Sequence, residues 1–181
     1  MEGDERRQFI LKLLAGSESP LSGTEIAGKC GVSRQIIVQD IALLRATNKN
    51  ILSTYRGYLL YQPEKDTENF KRTFAVSHTD EQIQDELYTF VDCGGKVLDV
   101  TVMHEIYGAI TVDLILNNRV DVDDFTTRLF TTPAKPLKEL TGGNHMHTVE
   151  ASSPEVFDRI EEQLKNCLLY TSPSPRDRSV S

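Results

Sequence analysis

"SGTEIAGKCGVSRQIIVQDIALL", residues 22–44, reads as two short helices folded about a tight turn. Ser22 and Glu25 have capping-box spacing, in which hydroxyl and carboxylate each satisfy an orphan amide of the first turn. A short helix therefore opens here and runs through Ala27. Gly31 permits a left-handed turn at no steric cost. Ser33 is a strong N-cap type for a second helix, whose Ile37, Ile41 and Leu44 fall at i, i+4 and i+7 as one buried stripe. The first turn of that helix presents Arg34 and Gln35, followed one turn later by Gln39.

The flanks extend this pattern. Upstream, "DERRQFILKLLAG" places Phe9, Ile10, Leu13 and Leu14 at helical spacing and stops at Gly16. Downstream, "ILSTY" and "GYLLY" are β-like pieces joined through Arg56-Gly57. Helix, turn, helix and hairpin together predict a winged helix-turn-helix over residues 1–62, with the second helix in the major groove of double-stranded DNA. Ser33, Arg34, Gln35 and Gln39 are then the candidate base-edge group, since Arg suits guanine and Gln suits adenine. Arg45 and Arg56 are candidates for phosphates, which position rather than specify. The alternative is a small helical packing module with ordinary polar surface residues. One short helix spans too few base pairs for selectivity, so a homodimer is expected.

Charge divides the chain in the same place. The net charge is −7, but residues 1–62 carry eight Lys+Arg against six Asp+Glu and the remainder twelve against twenty-one. A mildly basic front half and an acidic back half point to two domains with different partners. The polar, Pro-bearing stretch 63–69 reads as a linker. No apolar run reaches membrane-spanning length, and the N-terminus has no secretory pattern. Three widely spaced cysteines, Cys30, Cys93 and Cys167, form no CxxC pair. They fit a reducing cytoplasm and exclude a zinc-finger framework.

The back half, 70–166, alternates element types in the order βαββαβα. "FKRTFAVSH" is strand-like, and Thr79 with Gln82 forms a second capping box ahead of a helix lined by Ile83, Leu87 and Val91. "KVLDVTVMH" places Leu98, Val100, Val102 and His104 on one face, and "GAITVDLILNN" turns Ile110, Val112, Leu114 and Leu116 inward. "DVDDFTTRLF" is a short helix with Asp121 as its expected cap, and "NHMHTVEA" is a strand. "SPEVFDRIEEQL" is a helix with Ser153 as cap and Val156, Ile160 and Leu164 in a stripe. The class is α+β: an antiparallel sheet with helices on one face, of which the ferredoxin-like fold is one form.

All four histidines lie in this half. His145 and His147 share a strand face, their Cα atoms roughly 7 Å apart, so both imidazoles can converge on one metal ion. Purely local hydrogen bonding fits the same spacing. His78 stands just before the Thr79 cap, Glu86 lies at the edge of the apolar stripe, and His104 sits on an apolar strand face. No HExxH and no Ser/His/Asp arrangement is present.

"GVSRQIIVQDIALLRA" and "RGYLL", then "HTDEQIQDEL", "VLDVTVMHEIYGAI" and "LTGGNHMHTVEA", resemble the niacin-responsive transcriptional repressor family over nearly the whole of residues 4–164. Its members join a winged helix-turn-helix to a 3H regulatory domain. The resemblance implies a non-enzymatic repressor of genes for niacin uptake and NAD biosynthesis, with nicotinic acid as co-repressor and a divalent transition metal, nickel, zinc or similar, in the 3H domain. Carried onto this sequence, the metal ligands are His78, Glu86, His145 and His147, and His104 lines the effector pocket or stands behind the ligands. Glu105 occupies a position where the family usually has proline. Two other functions remain open at this point: a metal-dependent enzyme with a DNA-binding-like accessory domain, and a regulator that senses the metal itself. The stretch 167–181, "CLLYTSPSPRDRSVS", departs abruptly from the preceding helix. It is similar to a translated sequencing-adaptor tail and is expected to be non-native and disordered.

Overall fold

The computed structural model describes residues 1–47, 50–62 and 69–167. The chain divides into two compact units, Met1–Lys65 and Asp66–Ser181. All of the expected linker except Asn69, and the tail beyond Cys167, lie outside the described residues.

The first unit runs α1 (Gly3–Ala15), α2 (Gly23–Cys30), α3 (Arg34–Thr47), β1 (Ile51–Thr54) and β2 (Gly57–Leu60). Ser22 Oγ accepts from Glu25 N at 3.2 Å and Glu25 Oε2 accepts from Ser22 N at 2.8 Å, closing the capping box that starts α2. This helix runs a turn beyond Ala27, because Cys30 is buried in the core and Gly31, at φ 67°, supplies the left-handed C-cap. Ile10, Leu14, Ile26, Ile37, Ile41 and Ile51 form the centre of the core. Each such side chain is worth about 1.5–3 kcal/mol on burial. The β1–β2 hairpin gains a third rung from Leu21, which exchanges both main-chain hydrogen bonds with Tyr58 at 2.9 and 2.8 Å. Gly57 makes this possible. At φ 139°, a Cβ there would stand 2.2 Å from the Leu21 carbonyl oxygen.

The second unit runs β3 (Phe70–Ser77), a 3-10 turn (Asp80–Gln82) leading into α4 (Ile83–Asp92), β4 (Lys96–His104), β5 (Gly108–Leu116) and α5 (Arg119–Thr131). A second 3-10 turn (Leu137–Thr141), β6 (Asn144–Ala151) and α6 (Pro154–Asn166) complete it. The sheet order is β3-β6-β4-β5, antiparallel throughout. The α+β class and the βαββαβα order hold. The ferredoxin-like arrangement does not. That fold centres the first and third strands of the domain, whereas here the last strand, β6, inserts between β3 and β4 and leaves the β4–β5 hairpin at the edge.

Three local readings also change. A register shift lies between Val97 and Asp99 against β5, and another between Val97 and Thr101 against β6. This irregularity inverts the alternation in the first half of the strand, so Val97 is buried and Leu98 and Val100 are only half-buried, while Val102 is buried as expected. On β5 only Leu114 and Leu116 reach the core; Ile110 is half-buried and Val112 exposed, and Ile115 takes a positive φ of 57°. The cap of α5 is Asn118, whose side chain accepts from Asp121 N at 3.0 Å. Asp121 itself lies in the first turn and accepts from Asn117 N at 2.9 Å.

Candidate metal centre and nucleic-acid interface

Glu86 is the pivot of the back domain. The Thr79–Gln82 cap starts the helix, with Thr79 N donating to Gln82 Oε1 at 3.1 Å. Ile83, Glu86, Leu87 and Phe90 then form the buried face of α4. Glu86 is only 1% exposed, set among apolar side chains rather than at their border. An ionised carboxylate in such a place requires close partners. His78 meets it through Nε2 on Oε2. His145 Nε2 lies 3.2 Å and His147 Nε2 3.1 Å from its Oε1. The two histidines of β6 project toward α4 because they share the parity of Val149, opposite Val76 and Phe74 of β3.

The other ring nitrogens determine what this cluster can do. His78 Nδ1 lies 2.7 Å from the Thr79 carbonyl, His145 Nδ1 2.8 Å from that of Gly143, and His147 Nδ1 2.7 Å from that of Asp99. A carbonyl only accepts, so all three Nδ1 atoms carry hydrogen. In neutral rings every Nε2 then offers a lone pair, and three lone pairs face a carboxylate. The contacts become attractive only with protons or a cation among them. Three imidazolium ions on one buried carboxylate would leave a large uncompensated charge. A divalent ion fits three of these donors, His78, Glu86 and His145, while His147 stands outside that group with its Nε2 3.1 Å from Glu86 Oε1. Ligands 2.0–2.1 Å from a tetrahedral ion stand about 3.3 Å apart, near the 3.1 and 3.2 Å observed for Glu86 with His147 and His145. The ligand atoms of His78, Glu86 and His145 lie within 4.8 Å of one another. The domain is thus compatible with metal binding, with each imidazole oriented by a main-chain carbonyl.

Electrostatics follows the same geometry. Burial pushes the Glu86 carboxyl up, but the charge of His147 and the contacts from His145, His147 and His78 outweigh it and hold the group well below the usual carboxylate range. Burial pushes His147 down, while the charge of Glu86, its hydrogen bond and the Asp99 carbonyl carry it above its ordinary value.

His104 lies apart from these four. It is half-buried at the end of β4, and its Nδ1 accepts from Ile106 N at 3.1 Å and Tyr107 N at 3.3 Å. It is therefore a hairpin-turn residue rather than a core one, and its neutral ring carries hydrogen on Nε2, the tautomer opposite to the others. It lines a cleft of about 790 Å³ with Thr101, Met103, Asn144 and Met146, whose wall includes His145 and Glu105.

In the front unit, Ser33 Oγ accepts from Ile36 N at 3.4 Å and so caps α3. Ser33, Arg34, Gln35, Gln39 and Arg45 are exposed. The Arg34 stem passes over Gly23 at the start of α2, 3.4 Å from where a Cβ would stand. Arg56 sits in the hairpin turn with its guanidinium 5.4 Å from the Tyr55 ring centre. The sequence reading missed Val38, an exposed apolar residue on the face of Gln35 and Gln39. It also missed Asp40, buried beneath α3, where Oδ2 takes Arg6 Nε at 2.5 Å and Oδ1 takes Arg7 Nη1 at 3.1 Å. An acid at i+3 from Ile37 on the inner face was the available signal. The Asp99 carbonyl behind His147 had none, since it depends on the β4 bulge.

Residues 71–171 match the 3H domain and residues 6–59 an HTH domain. A probable transcription repressor NiaR of Thermotoga maritima is 39% identical over 161 residues, covering 89% of this chain and 90% of that protein. The chain belongs to the 3H-domain transcription repressors. The transcription repressor NadR of Bacillus subtilis is 37% identical over 164 residues, 90% of this chain and 91% of that protein. A 3H-domain repressor is a non-enzymatic regulator, which answers the enzyme alternative. Among the described residues, no helix is long and apolar enough to cross a membrane.

Proposed function

We propose that this repressor binds a divalent transition metal and responds to nicotinic acid, acting as a homodimer on operators of genes for niacin uptake and NAD biosynthesis. The observation that carries the reading is the convergence of three imidazole Nε2 atoms on buried Glu86 in the domain that accompanies a DNA-reading helix. The relatives' names, NiaR and NadR, support the NAD connection. His78, Glu86, His145 and His147 hold the ion, nickel, zinc or similar. A bound divalent ion supplies local positive charge in an otherwise acidic domain, which favours an anionic effector. His104 lines the cleft that His145 borders, and an Nε2–H on its ring is a donor suited to a carboxylate or a ring nitrogen. Ser33, Arg34, Gln35 and Gln39 read base edges, and Arg45 and Arg56 hold phosphates.

Calorimetric titration of nicotinic acid into metal-loaded and metal-stripped protein tests the reading. Binding that is strong only in the loaded protein is expected. Equal binding to both detaches the effector from the ion, and binding to neither overturns the effector. A regulator of the metal itself is the second reading, favoured by how little of Glu86, His145 and His147 is exposed, 5% at most. Operator affinity that follows metal alone, unmoved by nicotinate, would select it.

A further inference from the structure

One buried cation has no part in the reading above. Lys138 is the second residue of the short turn that leads into β6, and its side chain is 8% exposed. Its Nζ donates to the His78 carbonyl at 3.1 Å and pairs with Asp80 Oδ1 at 2.6 Å. Its own carbonyl accepts from Gly143 N at 2.9 Å. The Gly143 carbonyl is the partner of His145 Nδ1 at 2.8 Å. The side chain of one residue therefore grips the loop that carries His78, while its main chain grips Gly143, the residue before β6 whose carbonyl orients His145. A surface lysine exchanges such contacts for water at little cost; a buried ammonium has no water to exchange for.

We propose that Lys138 is a positioning residue of the histidine–carboxylate centre, clamping the His78 and His145 loops at the spacing that a shared ion requires. The proposal rests on the metal reading above. Simple electrostatics gives the opposite expectation: an ammonium near a divalent ion repels it, so its removal would tighten binding. Positioning makes removal weaken binding. The direction of the change therefore separates the two roles.

The experiment is Co²⁺ binding to the full chain, followed by the visible ligand-field band and by competition with a chelator, at a temperature where each protein is folded. Lys138→Met keeps the length of the stem and loses every donor. Its Co²⁺ affinity falls roughly tenfold or more, within the range typical of groups that orient metal ligands, and the band changes in shape as the ligand geometry relaxes. Asp80→Asn keeps the lysine and alters only a half-exposed partner, so it carries the test if Lys138→Met folds poorly. Its affinity falls a few-fold in the same direction. Affinity equal to or tighter than wild type in these variants, with an unchanged band, overturns the clamp. Wild-type protein that takes up no Co²⁺ overturns the metal reading and the clamp with it, whereas wild-type uptake abolished by His145→Ala leaves that reading standing whatever Lys138 does.

Discussion

His78 Nε2 and Glu86 Oε2 are in contact, although eight positions separate the two residues in the chain. Along a continuous helix that separation is about 12 Å. The contact exists because His78 precedes the helix. The Thr79–Gln82 cap reverses the backbone, the 3-10 turn Asp80–Gln82 tightens the entry, and the ring folds back over the first turn of α4. A strand end and a helix face thereby supply two donors to one point, and β6 supplies two more.

Removal of one imidazole should therefore remove most bound metal. His145→Ala and His147→Ala are expected to lower the metal content of purified protein to a small fraction of wild type, measured by elemental analysis. Unchanged content in both would leave the histidines as a hydrogen-bonded core cluster.

The metal-free cluster should leave its mark on stability as pH changes. Glu86 is held below its ordinary value, so its contribution is present above the unfolded carboxylate range and is lost as pH falls through the folded value. His147 is raised, so its contribution is complete below about pH 6.5 and is lost as pH climbs through the raised value. Stripped protein should be most stable near pH 5–6, an approximate window set by those two directions. Metal requires unprotonated imidazole and should stabilise more as pH rises. Thermal melts of loaded and stripped protein should diverge from about pH 6 to 8. A constant gap would count against imidazole ligation.

Local signals were legible in the sequence wherever the responsible atoms lie within a few residues. The Ser22–Glu25 and Thr79–Gln82 boxes, the Ile37–Ile41–Leu44 stripe and the shared face of His145 and His147 are of this kind. The misreadings involve partners distant in sequence. Leu98 has the right parity for a regular strand, and only pairing with both β5 and β6 reveals the bulge that turns Val97 inward. Asp121 and Asn118 are both good caps, and the choice depends on where β5 releases the chain. Glu86 looked marginal because its three partners come from another strand and a loop. The insertion of β6 between β3 and β4 is likewise invisible to periodicity, which fixes faces but not neighbours.

Asp40 ties α1 to the inner side of α3 through Arg6 and Arg7. Asp40→Ala leaves two guanidinium groups without that carboxylate and should lower the melting temperature of the front domain by several degrees, with operator affinity falling on all sequences alike. A melting temperature within a degree of wild type would show that water replaces the carboxylate.

If Arg34 and Gln35 read bases and Arg45 holds a phosphate, as proposed, their defects should differ in form. Gln35→Ala and Arg34→Ala should each cost about 1–3 kcal/mol at particular operator positions and little elsewhere. Arg45→Ala should weaken binding to every duplex and reduce the salt dependence by about one unit of slope. Competition assays on single-substitution operator libraries, repeated at two salt concentrations, measure both. A uniform loss for Gln35→Ala would move it to the phosphate group.

The route from effector to DNA is the last expectation. Residues 63–181 carry twelve Lys+Arg against twenty-one Asp+Glu, so long-range attraction does not gather an anion there. On the proposed reading, an ion held at Glu86 would supply the missing positive charge, and His104 lines the cleft that His145 also borders. If nicotinate favours the DNA-competent dimer, linkage requires operator DNA to tighten nicotinate by the same factor. Stripping the metal should then abolish the effect of nicotinate on operator affinity while leaving basal affinity largely intact. His104→Phe, which keeps a ring and loses the donor, should weaken nicotinate binding without lowering metal content. The measurement is operator affinity in loaded and stripped protein, each with and without nicotinate. Equal stimulation in both preparations would make the histidine cluster purely structural and place the effector elsewhere on the chain.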